Sequence, residues 1–157
     1  MTDKRRKVLI AMDGSDHSNA TFDWYMKNLR HSDDHVLLAW NVDTLPSSYG
    51  NVNLMTGDPD VISRSINEHA THVNHIVKTL QQKLTDSNVS GCVLQLHGHS
   101  SGEAIIKASE REAADMIVVG SRGLGTLRRT FLGSVSDFVL HHAHIPVCIC
   151  RFDKVIK

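Results

Sequence analysis

The chain has 157 residues, 41% hydrophobic and 22% charged, which suits one domain, residues 1–157, with a core of its own. Its 17 basic and 17 acidic side chains cancel when histidine is neutral, which argues against a protein that holds nucleic acid or an anionic membrane by bulk charge. No apolar run approaches the about 18 residues of a membrane span, and the apolar stretch after the basic opening MTDKRRK is too short for a secretory leader, so a cytoplasmic protein is expected.

In chain order, residues 7–13 (KVLIAMD) read as a first buried strand. After Ser15, residues Phe22, Tyr25, Met26 and Leu29 repeat at i, i+3, i+4 and i+7, one stripe of an amphipathic helix. Residues 35–41 (HVLLAWN) form a second strand. A connection rich in Pro, Gly, Ser and Asn follows at 43–60, long enough to suggest a functional or mobile loop, with a tolerated insertion as the alternative. Ile62, Ile66, Ala70, Val73, Val77, Leu80 and Leu84 trace a longer helix, and residues 92–96 (CVLQL) a third strand. Ser100 and Glu103 have capping-box spacing before a helix bearing Ile105, Ile106 and Ala108. A fourth strand at 115–120 (DMIVVG) is followed by a helix with Val135, Phe138, Val139 and His142 on its buried face and a weaker box, Ser134 with Asp137. Residues 146–150 (PVCIC) close the series as a fifth strand.

These strands are almost continuously apolar, the pattern of a sheet covered on both faces. Strict alternation with helices implies right-handed crossovers and an open, doubly wound, parallel five-stranded α/β sheet. Ligands of such sheets bind beyond the carboxyl ends of the strands, where the strand order reverses. That rule selects the segments after Asp13 and after Gly120. No internal repeat or interdomain linker is evident.

Residues 120–136 read GSRGLGTLRRTFLGSVS. Gly120, Gly123 and Gly133 permit close backbone approach, and the first amides of the last helix, at Ser134, Val135 and Ser136, lie at the positive end of its dipole. Hydroxyls of Ser121, Ser134 and Ser136 add donors. Arg122, Arg128 and Arg129 make the stretch basic, with no acid before Asp137. Tight turns and a solvated basic face are the plain alternative, but the combination favours a phosphate group. The chain lacks GxxxxGK[ST] and has no GxGxxG after the first strand, which sets it apart from P-loop and dinucleotide-binding patterns. Asp13 is placed to meet a ribose hydroxyl or to hold a divalent ion such as Mg2+ or Mn2+; its alternative is to cap the first helix, a role open to Ser15.

The DGS after the first strand, AADMIVVGSRG around the fourth, the Gly120-x2-Gly123-x9-Gly133-Ser134 pattern and the closing HIPVCIC together resemble the universal stress protein family in its ATP-binding branch. The resemblance spans nearly the whole chain. It implies a homodimeric adenine-nucleotide-binding protein with a Rossmann-like or flavodoxin-like sheet, binding ATP or AMP as a stress-response or signalling module. Ala11, Met12 and Asp13 then line adenosine, Asn41 or Val42 meets adenine through its backbone, Val119 and Gly120 flank ribose, and Gly123, Gly133, Ser134, Val135 and Ser136 hold phosphate. Asn41 departs from the small aliphatic residue common at its position. The family's dimer pairs the last strand, here bounded by Pro146 and Arg151; the alternative is an ordinary edge covered by the tail that begins at Phe152.

Cys92, Cys148 and Cys150 are expected to be reduced. Among the 11 histidines, His69, His72 and His75 are spaced by three and His141, His142 and His144 cluster, but no cysteine or carboxylate completes a ligand set. No residue stands out as a base for water, so slow ATP hydrolysis is the most catalysis expected. Two rival readings are an ATP-using enzyme of the ATP pyrophosphatase-like group, suggested by the DGSDHS after the first strand, and a ligand-free interaction protein.

Overall fold

Five strands alternate with four helices among the described residues: β1 (Lys7–Ala11), α1 (Asp16–Asn28), β2 (His35–Asn41), α2 (Pro59–Asp86), β3 (Ser90–Leu96), α3 (Ser101–Arg111), β4 (Met116–Gly120), α4 (Ser134–His142) and β5 (Val147–Cys150). The computed structural model describes residues 5–42, 57–122 and 132–152. The strands form one sheet in the order β3-β2-β1-β4-β5, parallel at every pairing. This is the expected doubly wound α/β architecture.

The apolar runs are continuous because both faces of the sheet are buried. In β1, Val8, Leu9 and Ile10 are all fully enclosed. Val8 and Ile10 turn toward Phe22 and Tyr25 of α1 and Leu80 and Leu84 of α2. Leu9 turns the other way, with Leu37 and Ala39, toward Ala104, Ile105 and Ala108 of α3 and Val139 of α4. No helix among the described residues is long and apolar enough to cross a membrane.

Several boundaries differ from the sequence pattern, each for a local reason. β1 stops at Ala11, two residues early. The Met12 amide still donates to the Ala39 carbonyl at 2.8 Å, but Asp13 Oδ1 then accepts from the Ser15 amide at 2.9 Å and Gly14 takes φ +80°, turning the chain into α1. β3 begins at Ser90, ahead of the apolar run, because its pairing with β2 starts at His35↔Ser90. β4 and β5 begin one residue later than expected. In α2 the stripe is buried only at Leu80 and Leu84, whereas Ile66 is 62% exposed. A helix of 28 residues runs about 42 Å, whereas a seven-residue strand covers about 23 Å, so the stripe outruns the sheet. The connection expected at 43–60 lies outside the described residues as far as 56, and α2 already begins at Pro59, capped by Asp58.

A buried ionic clamp, invisible to the sequence pattern, closes the amino end of the sheet. Asp34, 1% exposed, receives Arg6 Nε at 2.8 Å and Arg6 Nη2 at 2.7 Å, together with the Tyr25 hydroxyl and the His31 amide. Arg6 Nη2 also reaches the Leu29 carbonyl at 3.1 Å, so one guanidinium joins the entry to β1, the end of α1 and the entry to β2. Burial alone would raise the Asp34 pKa, but the bonds from Arg6, Tyr25 and His31 overcome it and hold the carboxyl at about 2. Burial and the neighbouring Asp34 carboxylate push the Tyr25 phenol upward.

Because the folded carboxyl titrates below its ordinary value of 3.8, its stabilisation is present above about pH 4 and disappears as pH falls toward 2, a difference of about 2 kcal/mol. Asp34→Ala should cost about 3 kcal/mol at neutral pH by stranding Arg6, and it should flatten this acid-dependent loss; urea melts from pH 2 to 7 measure both. At the end of α3, Ala113 sits at φ +51°. Ala113→Gly should therefore raise stability by about 0.5 kcal/mol, since glycine removes a left-handed penalty larger than its own entropic cost.

Candidate functional site

The sheet order places the strand reversal between β1 and β4: β2 and β3 extend to one side of β1, and β4 and β5 to the other. The two segments picked out by sequence, after Asp13 and after Gly120, therefore leave adjacent strands at the same end of the sheet. The start of α4 joins them, because Gly133 donates its amide to the Ser121 carbonyl at 2.7 Å.

The α4 start is built differently from the other three. Ser15, Asp58 and Ser100 cap α1, α2 and α3 with side-chain oxygens that accept backbone amides. At α4 the cap position falls on Gly133, and no side chain among the described residues caps it. The expected box of Ser134 with Asp137 is thus corrected: Ser134 is already the first helical residue, and Gly133 supplies only its carbonyl, to the Asp137 amide at 2.9 Å. Helix geometry gives the amides of Ser134, Val135 and Ser136 no carbonyl within α4. With no side-chain cap among the described residues, they form a partly positive helix terminus.

Hydroxyl and side-chain placement narrows the donor set. The Ser136 hydroxyl is buried and donates to the Gly133 carbonyl at 2.9 Å, so its proton serves the turn. Ser134 is exposed, whereas Ser121 is buried and its carbonyl accepts Gly133. Met12 and Val42 bury their side chains in the α1 and α2 face of the core, which leaves their main chains as what they can offer a ligand. Val119 is likewise buried, and Ala11, Asp13, Gly120 and Arg122 are half-buried. Gly123, Arg128 and Arg129 lie outside the described residues.

Two glycines have packing reasons that the sequence pattern did not separate from ligand approach. A Cβ at Gly120 would lie 2.9 Å from Thr21 Oγ1, a hydroxyl that donates to the His17 carbonyl at 2.8 Å. A Cβ at Gly133 would lie 3.1 Å from the Ser121 carbonyl oxygen. Both glycines let α1 and α4 close against the end of β4.

Asn41 has a role that sequence reasoning missed. Its side-chain amide donates to the Gly98 carbonyl and to Ser101 Oγ, each at 2.9 Å, tying the end of β2 to the start of α3. Only its departure from an aliphatic residue at that position signalled anything unusual. The carboxyl end of β2 is thereby fixed from the α3 side, while Val42 is fixed from the other face.

A metal has few protein ligands available. Among the described residues the one group of three suited side chains is His31, Asp33 and Asp34, before β2 at the opposite end of the sheet, where Asp34 is already committed to Arg6 and Tyr25. Asp13 belongs to no such group. It offers a single carboxylate, one oxygen of which accepts the Ser15 amide. His141 Nδ1 and His142 Nδ1 each lie 2.8 Å from the carbonyl four residues back, and neither residue belongs to a group of three such ligands among the described residues.

Comparison with known proteins agrees with this architecture. A universal stress protein of Synechocystis, Sll1388, is 25% identical over 152 residues, covering 92% of this chain and 97% of its own. The structure of hypothetical protein MJ0577 superposes with a TM-score of 0.72 at 19% identity, over 95% of this chain and 97% of that one. A universal stress protein family protein from Arabidopsis thaliana, with AMP bound, gives 0.67 at 21% identity over 94% and 92%. The model of the universal stress protein family matches residues 4–151, and with its sheet order and alternating helices the chain belongs to that family.

Proposed function

We propose that this chain is a cytoplasmic adenine-nucleotide-binding member of its family, taking ATP or AMP at the carboxyl ends of β1 and β4 and acting as a nucleotide-dependent stress-response or signalling module. The observation that carries the reading is the uncapped start of α4, held beside the end of β4 by the Gly133–Ser121 hydrogen bond. Three amides at a helix N-terminus are complementary to a phosphate group. The AMP in the Arabidopsis neighbour supports the choice of ligand class.

In this reading the amides of Ser134, Val135 and Ser136 bind phosphate, with Gly123, Gly133, Ser121 and Arg122 completing its surroundings. Asp13 orients ribose or contributes one carboxylate to Mg2+ or Mn2+, an ion that commonly takes its remaining ligands from water and phosphate. Ala11, Met12, Val119 and Gly120 flank the nucleoside, and the main chain of Asn41 or Val42 meets adenine. The amides supply binding energy to an anion, whereas no residue stands out in the sequence as a base for water. Binding is the main activity, with slow hydrolysis at most. The edge strand β5 pairs with a second copy to form a homodimer, which removes an exposed strand edge.

Because a Cβ at Gly133 meets the Ser121 carbonyl, the test needs a steric control. Gly133→Asp should weaken ATP binding at least 10-fold, about 1.4 kcal/mol or more, whereas Gly133→Ala should lose less than half of that free energy. Equal losses in calorimetric titrations, or none, would remove phosphate from the α4 start. Equilibrium sedimentation of the full chain should give a dimer, and a monomer at micromolar concentration would reject the β5 pairing.

A further inference from the structure

Cys148 and Cys150 lie two residues apart on β5, opposite Val118 and Gly120 of β4. Both belong to the α1 face of the sheet: Cys150 is buried there at 5% exposure, and half-buried Cys148 packs against the same cluster with Met26, Met116 and Phe152. Burial, then the adjacent Cys148, push the Cys150 thiol up to about 12. The pair is therefore two thiols on one face at the sheet edge, Cys150 buried and Cys148 partly open to solvent.

Strand geometry decides what such a pair can hold. Same-face residues two apart are separated by about 6.6 Å along the strand, and their Cβ bonds leave in parallel, outside the Cβ separation of about 3.5–4.5 Å that a disulfide needs. A bridging atom with two bonds of about 2.3 Å to sulfur spans more than a direct sulfur–sulfur bond does. Among the described residues no third His, Cys, Asp or Glu ligand joins the two thiols, so a centre satisfied by two sulfurs is favoured over tetrahedral zinc. The apolar surroundings also disfavour paired thiolates and favour chemistry that starts and ends neutral.

We propose that Cys148 and Cys150 form a two-thiol binding site for a soft, thiophilic centre, of which trivalent arsenic bearing one organic group is the fitting case. With an arylarsenoxide, R–As=O and two Cys–SH give R–As(S–Cys)2 and water. Two As–S bonds form while two S–H bonds and the As=O bond break, both thiol protons leave in the water, and arsenic stays trivalent. No oxidant is required and no charge is left in the core. Cys92, an exposed thiol on β3 at the other edge of the sheet, cannot join the pair.

The test treats the reduced full-length chain with equimolar phenylarsine oxide, then with excess glutathione, and reads intact mass. Wild type and Cys92→Ser should retain one phenylarsenic group per chain, released by a small dithiol. Cys148→Ser, altered at the half-buried position, should retain at least 10-fold less, and Cys150→Ala should behave alike, with thermal melts verifying that both variants are folded. The proposal is overturned if wild type retains no adduct, if folded Cys148→Ser retains as much as wild type, or if one arsenic is shared by two chains. Ready formation of a Cys148–Cys150 disulfide under mild oxidant would also overturn the geometric argument.

Discussion

The structure depends on the enclosure of β1 at the centre of the sheet. Val8, Leu9 and Ile10 are fully buried by two helical layers, so every connection must cross a face and return at the amino end. With right-handed crossovers, the chain winds from β1 to β2 and β3 on one side, then returns to lay β4 and β5 on the other. The carboxyl ends of β1 and β4 are left as neighbours. The place of the candidate site follows from the winding before any site residue is considered.

The glycines at these strand ends serve packing. Gly120 admits Thr21 and the first turn of α1, and Gly133 admits the Ser121 carbonyl. These close approaches bring the start of α4 against the end of β4, where no side chain among the described residues caps its amides. At the opposite end of the sheet, Asp34 takes Arg6, Tyr25 and the His31 amide. Among the described residues, Asp34 at one end is enclosed by its own donors, whereas the α4 start at the other end has no side-chain cap.

The cysteine pair illustrates how position changes the meaning of a residue. Cys148 and Cys150 are simple alternating apolar positions in the chain, but β5 is an edge strand and its α1 face is only partly covered. The side chains share one face of the sheet but are too far apart along the strand for a strain-free disulfide. Cys92 shows the contrast, since it stands alone on the other edge strand.

Element type and order were legible in the chain because burial on both sheet faces imposes continuous apolar runs, and amphipathic helices impose their own period, as Phe22, Tyr25, Met26 and Leu29 show in α1. The Ser15 and Ser100 caps were likewise readable, because capping is a local matter of a hydroxyl and an amide three residues on. The cap of α4 was not: it moved from Ser134 to Gly133 because the Ser121 carbonyl, twelve residues earlier, receives the Gly133 amide. Asn41 reaching Gly98 and Ser101, and Arg6 reaching Asp34, join segments distant in sequence and leave no periodic trace. Local hydrogen bonding and hydrophobic period were thus determined by the sequence itself. Which polar groups became partners, and which helix start stayed open, was decided only when the sheet brought remote segments within hydrogen-bond distance.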